Sequence, residues 1–341
     1  MFKRLSCFIL GIGFVAGAGI WPATAQEPFY KGKNIRIIVG LSPGGGYDTY
    51  SRLIARHVGK YIPGNPTVIV ENMTGAGSLI AANHVYKIAK PDGLTIGHFI
   101  GGLFLQQLLG KEGIEFDARR FEYIGVPTQD NQVMGLSRAT GITSIEQWMA
   151  SKTLVKFAGV GPGSATDDIT KVLKATLALP IQLVSGYKGT ADIRLAFNSG
   201  EIGGLTNAWE SFKATWPKEV EAGDVIVVLQ AIPKPHPDLP RVPLSINFAK
   251  NNEARRLIQV AVHDYGTAAR PYVVPPGTPK ERVQILRRAF SETMKDKEFL
   301  VEAAKSRLDI SPLSGEEVEK TTAGLFKLEA DLIAKLKEIL K

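Results

Sequence analysis

The chain has 341 residues, a formal net charge of +8 and one cysteine, Cys7. A single thiol leaves no intrachain disulfide and no thiolate metal site, and the basic residues are scattered without a long run, which argues against nucleic-acid binding. A positive balance suits an anionic ligand or an acidic partner.

The chain opens with Lys3 and Arg4, then an apolar run from Leu5 to Ile20, then Pro22-Ala23-Thr24-Ala25 ahead of Gln26. That is the three-part pattern of a secretory signal peptide with an Ala-x-Ala cleavage site. The run is shorter than the ~20 residues that a membrane span needs. Cleavage after Ala25 removes 25 of 341 residues, leaves 316, and lowers the charge by two to +6. No later stretch is long and apolar enough to cross a bilayer, so a soluble mature protein is expected. Its length exceeds one ordinary core, so two domains are expected.

The first strand is Ile35 to Val39, ending in Ser42-Pro43-Gly44-Gly45-Gly46. Tyr50, Leu53, Ile54, Val58 and Tyr61 then share one helical face. A strand that stops in glycines and turns into a helix leaves free backbone N–H groups at the helix N-terminus, where the dipole also favours an anion. Pro63-Gly64-Asn65-Pro66 breaks the helix, and Val68 to Val70 is a second strand, followed by Met73-Thr74-Gly75-Ala76-Gly77-Ser78. The next helix carries Ile80, Ala81, His84, Val85 and Ile88, and stops before Pro91-Asp92-Gly93. A third strand, Leu94 to Phe99, ends in Gly101-Gly102 and leads into a helix over Leu103 to Leu109. Three strand–glycine–helix units in succession predict a parallel α/β sheet with its loops on one edge.

Phe121 to Val126 is a further strand, after which the rhythm restarts. Ser144-Ile145-Glu146-Gln147 reads as a capping box. Leu154 to Val160 is a strand closed by Gly161-Pro162-Gly163-Ser164-Ala165-Thr166-Asp167, and Ile169, Val172, Leu173, Thr176 and Leu177 follow as a helical stripe. Ile181 to Val184, then Ser185-Gly186-Tyr187-Lys188-Gly189, a helix ending at Gly200, and the strand Ile202 to Trp209 complete a second α/β block. Asp224 to Ala231 is one more strand, and the prolines between Pro233 and Pro243 make a stiff connector. Asn252 to Val262 reads as helix and Arg270 to Val274 as extended chain. Thr278-Pro279-Lys280-Glu281 is a helix start with cap, proline and glutamate in place. A last helix opens at Ser314-Gly315-Glu316-Glu317 and carries Leu325, Leu328, Leu332, Leu336 and Ile339. These closing elements are expected to pack back on the first domain. The expected division is 1–25 signal peptide, 26–126 with 246–341 as domain 1, and 127–245 as domain 2.

Enzyme signatures are missing. Gly75-Ala76-Gly77 and Gly161-Pro162-Gly163 lack the third glycine of a dinucleotide fingerprint, and no Gly-Lys-Ser/Thr follows a glycine turn. There is no Gly-x-Ser-x-Gly nucleophile elbow. His57, His84, His98, His236 and His263 show no metal-ligand spacing. No cofactor and no metal are expected. Ser78 and Ser164 sit in turns, where a hydroxyl more often caps a helix than attacks a substrate. Glycine turns at strand C-termini are where open α/β sheets bind ligands.

Pro43-Gly44-Gly45-Gly46-Tyr47-Asp48, Val68 to Ser78 and Pro91-Asp92-Gly93 resemble motifs of the Bug-type receptors, the periplasmic solute-binding proteins of tripartite tricarboxylate transporters. Gly161-Pro162-Gly163-Ser164, Tyr187-Lys188-Gly189 and Pro275-Pro276-Gly277-Thr278-Pro279 match later signatures in the same order. The ordered set covers essentially all of the mature chain.

The resemblance implies a type II periplasmic binding fold, a Venus flytrap of two α/β domains with a ligand cleft between them. It implies a monomeric periplasmic receptor, not an enzyme, that captures a small carboxylate (di- or tricarboxylate, aromatic acid or similar). The ligand would pass to the large and small permease subunits of a membrane transporter. Carried onto this chain, the first-domain grip falls on Ser42, Gly45, Gly46, Tyr47 and Asp48, then Ala76, Gly77 and Ser78. Ser164, Ala165, Thr166 and Asp167 would close from the second domain. Tyr187 and the strand end Asn207, Trp209 and Glu210 would line the specificity pocket. Asp48 and Asp167 would repel a bare carboxylate, so helix-cap or water-mediated roles are expected for them. Ala165-Thr166-Asp167 and Asn207-Ala208-Trp209-Glu210 depart from the common family pattern, which leaves the particular ligand open. A receptor feeding a sensor kinase, or an exported hydrolase using Ser78 or Ser164, are the alternatives, and neighbouring genes or turnover in Ser→Ala variants would separate them.

Overall fold

Two sheets carry the fold in a computed structural model that describes residues 27–341. The expected signal peptide lies outside the described residues. The first part of the chain alternates as its glycine turns predict: β1 (Asn34–Val39), α1 (Gly46–Val58), β2 (Thr67–Asn72), α2 (Leu79–Lys87), β3 (Thr95–His98), α3 (Leu103–Leu108) and β4 (Glu122–Val126). The chain then enters the second sheet through β5 (Gln132–Ser137), α4 (Ile145–Ala150), β6 (Val155–Gly159), α5 (Asp168–Leu177) and β7 (Ile181–Ser185). It completes that sheet with α6 (Thr190–Asn198), β8 (Gly204–Ala208), α7 (Trp209–Thr215), α8 (Pro217–Glu221) and β9 (Val225–Gln230). The return runs through α9 (Asn252–Ile258), a π-turn and a 3-10 turn, then β10 (Tyr272–Val274), α10 (Lys280–Lys295) and α11 (Lys297–Lys305). It closes with β11 (Leu313–Ser314), α12 (Gly315–Leu325) and α13 (Ala330–Leu340).

The first sheet has the order β11-β4-β10-β3-β1-β2 and the second β7-β6-β8-β5-β9. Ile37 in β1 pairs with Val70 of β2 and Ile96 of β3 in parallel ladders. The sheet as a whole is mixed, not parallel as the rhythm predicts. β10, returning from the other sheet, enters antiparallel between β3 and β4. β5 does the same in the second sheet, antiparallel to both β8 and β9.

Each sheet owns a core. α1 buries Tyr50, Leu53, Ile54 and Val58 against Leu286, Phe290 and Met294 of α10. In the second, Trp148 stacks on Phe157 at 5.3 Å and α5 buries Ile169, Val172, Leu173 and Leu177. α2 turns Ala81, Ala82 and Val85 inward but leaves Ile80 and Ile88 exposed, so the expected stripe is rotated. The closing elements do not all return to the first core. α10 and α11 do, whereas Leu257 and Ile258 of α9 and Leu332, Leu336 and Leu340 of α13 bury in the second core. Residues 246–341 thus contribute to both cores.

The chain crosses between sheets at 127–131, 264–271 and 326–329. The proline connector is not one of the crossings. Gln230 holds it to β9, its N–H donating to Pro243 O and its side-chain amide to Leu239 O at 3.0 Å. No helix among the described residues is long and apolar enough to cross a membrane.

Candidate functional site

The turns after β1, β2 and β3 face the turns after β6 and β7, and the two sets touch. Ser42 N–H donates to Lys188 O at 3.1 Å. A Cβ added to Gly102 would lie 2.0 Å from Gly163 O, and one on Gly77 would lie 3.1 Å from Pro162 O. Gln106 of α3 donates to Asp168 of α5 at 2.7 Å, and Tyr265 on the second crossing donates to Gly163 O at 2.8 Å. These contacts describe closed jaws. Between them remains a cavity of about 40 Å³.

α1 starts this site because Gly45 caps it with backbone only and Gly46 lets the second lobe approach. A Cβ on Gly46 would lie 2.2 Å from Ser211 Oγ and 3.1 Å from Arg270 Nη1. The preceding turn needs Gly44 at φ +77°, a region that costs a glycine nothing. Asp48 closes the turn from inside the helix: its carboxylate accepts from Gly44 N at 2.9 Å, Arg52 Nε at 2.8 Å and Asn72 Nδ2 at 3.0 Å. These bonds hold its pKa below the ordinary value although burial opposes them.

Of the residues that the motifs nominate, Gly45, Gly46, Tyr47, Ser164, Ala165, Thr166 and Asn207 line the cavity. Ser42 borders the jaw contact, its Oγ without a partner. Ala76, Gly77 and Ser78 stand back from the cavity. Gly77 meets the opposing turn and Ser78 Oγ accepts from Ile100 N. Asp167 accepts from Gly161 N at 2.7 Å and from Ser164 and Ser185 hydroxyls, a turn-stabilising role like that of Asp48. Tyr187 donates to Glu201 and Trp209 Nε1 donates to Asp238, both away from the cavity. Glu210 is fully buried behind it and accepts both N–H groups of Asn131, at 2.6 and 3.1 Å. Burial first, then the charge of Asp130, pushes its carboxyl up to about 7.

Several lining residues carry no motif: Asp130, Gln132, Thr190, Ser211, Tyr265 and Arg270. Asp130 lies on the first crossing and Arg270 on the second, and they form an ion pair through Arg270 Nε. Arg270 is 1 % exposed. Its Nη2 donates to Ser211 Oγ at 2.7 Å, and the guanidinium sits over the rings of Tyr47 and Tyr50 at 4.6 and 5.2 Å. Burial pushes the Asp130 carboxyl up, and the guanidinium pulls it back. The one advance signal of Arg270 is a cation set between Ala269 and the apolar strand Tyr272-Val273-Val274.

Among the described residues two further groupings of His and acids lie elsewhere: His57 with Asp296 and Glu298, and Glu210 with His236 and Asp309. In the first, Lys60 Nζ bonds Asp296 at 2.7 Å, and near the second Lys213 Nζ bonds Asp309 at 2.6 Å. An ammonium thus already supplies the positive charge beside each group. A second cavity of about 410 Å³ lies behind the crossings, walled by Phe104, Leu105, Ala261 and Leu325.

The architecture and the cleft define the two-domain fold of the periplasmic binding proteins. BugD matches it with a TM-score of 0.74 at 19 % identity, over 91 % of this chain and 98 % of BugD. A Rhodopseudomonas palustris protein solved with adipate gives 0.73 at 20 % identity over 90 % of this chain and 98 % of that one. MatC from the same organism, solved with malate, gives 0.70 at 18 % identity over 91 % and 99 %. No family model matches the chain. In sequence its homologues are UPF0065 and Bug proteins, and its structural neighbours are Bug and TctC periplasmic binding proteins. It is 31 % identical over 190 residues to a UPF0065 protein of the Agrobacterium vitis TAR-I region, a match spanning 53 % of this chain and about half, 52 %, of that relative. A UPF0065 protein from the gbd 5' region of Cupriavidus necator is 24 % identical over 324 residues, 94 % of this chain and 92 % of the relative. BugT of Bordetella pertussis is 38 % identical over 88 residues, 26 % of each chain.

Proposed function

We propose that the protein is a periplasmic Bug-type receptor that traps a small carboxylate between its lobes and hands it to a tripartite membrane transporter. It binds and releases its ligand and carries out no reaction. The observation that carries this reading is the convergence of the α1 N-terminus with the Asn207 and Ser164–Thr166 edges on one cavity. An uncapped helix N-terminus in a water-poor cleft favours a carboxylate through its N–H groups and dipole. The malate and adipate seen with two structural neighbours support the ligand class.

The moving units are the two sheets with their packed helices, α9 and α13 travelling with the second. In the open form the ligand's carboxylate meets Gly45, Gly46 and Tyr47. Closure about the crossings at 127–131 and 264–271 then brings Ser164, Ala165, Thr166 and Asn207 over its other end. The closed outline is what the permease subunits recognise. Thermal shift and calorimetry with mono-, di- and tricarboxylates test the reading. Stabilisation by at least one carboxylate at or below millimolar concentration is expected. Binding of sugars or metals with no carboxylate response would overturn it.

A further inference from the structure

We infer that Arg270 grips the ligand's carboxylate directly, and that the closed cleft selects a small monocarboxylate with a hydroxyl or ammonium on the neighbouring carbon, over di- and tricarboxylates. The inference rests on the carboxylate-receptor reading above and names the class within it.

The first support is an unspent donor. Arg270 is 1 % exposed, its Nε engaged by Asp130 and its Nη2 by Ser211, yet Nη1 has no partner among the described residues. A buried guanidinium donor left unmade is costly. Nη1 lies 3.1 Å from the point where a Cβ of Gly46 would be, at the start of a 13-residue helix whose N-cap offers no side chain. Guanidinium and helix N-terminus therefore border the same cavity, and both favour an anion there. Asn207 Nδ2, on the opposing lobe, is a second buried donor without a partner.

The second support is an unspent acceptor. Gln132 Nε2 is committed to Asp130 at 3.1 Å, which fixes its amide orientation and leaves Oε1 buried and unpartnered. A lone acceptor beside a carboxylate site calls for a donor on the ligand. A hydroxyl or ammonium next to the carboxyl carbon supplies one within the reach of so small a space.

The third is charge and size. Among the described residues Arg270 is the sole basic residue of the cavity wall, and Asp130 already balances it. The remaining wall includes Leu41, Ile100, Val160 and Ala165. A second carboxylate would lose its water there with no cation to meet it. The cavity of about 40 Å³ admits about three waters, so a compact ligand fits between the jaws with the least displacement of the wall.

The test is calorimetry on the mature protein with lactate, alanine, propionate, malate and adipate. Lactate or alanine should bind tightest, and which of the two wins separates hydroxyl from ammonium. Propionate, malate and adipate should each bind at least tenfold more weakly. Arg270→Lys keeps the charge but loses the fork and should bind the preferred probe at least tenfold more weakly. The paired variant Arg270→Met with Asp130→Asn removes both charges together, so it should melt cooperatively and lose binding. Malate or adipate binding as tightly as the monocarboxylates, or either variant retaining wild-type affinity, overturns the inference while leaving the carboxylate receptor standing. A wild-type protein deaf to every carboxylate overturns both.

Discussion

Gly102→Ala isolates the jaw contact from the ligand site. Gly102 has φ −61° and ψ −15°, a conformation open to any L-residue, so the substitution leaves its own backbone unstrained. Its new methyl would sit 2.5 Å from the Tyr265 ring and 2.0 Å from Gly163 O, the latter about 1 Å inside the 3.0 Å limit of real Cβ contacts. The obstructing atom is backbone on the opposing lobe and cannot turn aside, so relief requires the lobes to stay slightly apart. Overpacking of this kind costs about 1–3 kcal/mol, charged only to the closed form, which corresponds to roughly 5- to 150-fold weaker binding. Calorimetry with the tightest-binding carboxylate reads the loss, and small-angle scattering of the saturated protein reads a closure less complete than in wild type. Gly324→Ala is the control, since its Cβ meets nothing within 4 Å. That variant should gain up to about 1 kcal/mol of helix stability with unchanged affinity. Wild-type affinity in Gly102→Ala would refute the claim that the bound lobes meet at Gly102 and Gly163.

Asp168→Asn tests the buried acid across the same interface. Burial pushes the Asp168 carboxyl up to about 7, against the pull of Gln106 and Gly163 N. A folded value above the unfolded one near 3.8 means that its stability contribution is whole below that value and lost as pH rises through about 7. Asn keeps an acceptor for Gln106 and Gly163 and replaces the unpartnered Oδ1. The variant should therefore melt with wild type near pH 4 and above it at pH 8, and parallel melting curves across that range would count against the assignment. His98 works in the opposite direction: burial pushes its pKa down to about 3, so its neutral form stabilises the fold above about 6.5 and stability falls as pH drops from there towards 3. His98→Gln should flatten that acid-side slope in thermal melts. Trp148→Ala removes a fully buried ring stacked on Phe157 and should cost about 3–5 kcal/mol in urea unfolding.

How much of this was legible follows from the range of each signal. The strand–glycine–helix turns are local, and β1 to β4 lie within a residue or two of the apolar pattern, while α1 ends at Val58 and the expected turn to Tyr61 is 3-10. The Ser314 and Glu317 capping box forms as its spacing requires. Thr278 does not cap α10, because its hydroxyl donates to Pro275 O within the preceding turn. β5 escapes periodicity altogether: Gln132 to Ser137 is buried on both faces except at its last residue, and Gly135 interrupts the apolar pattern. The expected single closing helix splits at 326–329 because Val318 and Leu332 serve different cores.

The site divides along the same line. Its backbone half, Gly45 and Gly46 at a helix start, is written in consecutive residues. Its charged half is written in residues 140 positions apart, Asp130 and Arg270, which meet only because two crossings run side by side. Gly266 O accepts from Asp130 N there at 3.1 Å, and a Cβ at Gly266 would lie 2.4 Å from Asp130 O. Gly266→Ala should therefore part the two crossings and loosen the ion pair by pressing on the Asp130 backbone, with every side chain of the cavity wall left unchanged. Its expected signature is a lower melting temperature together with weaker carboxylate binding. A variant that loses stability but keeps full affinity would show that the crossings brace the fold alone, and that the guanidinium's place in the cleft does not depend on how closely they run.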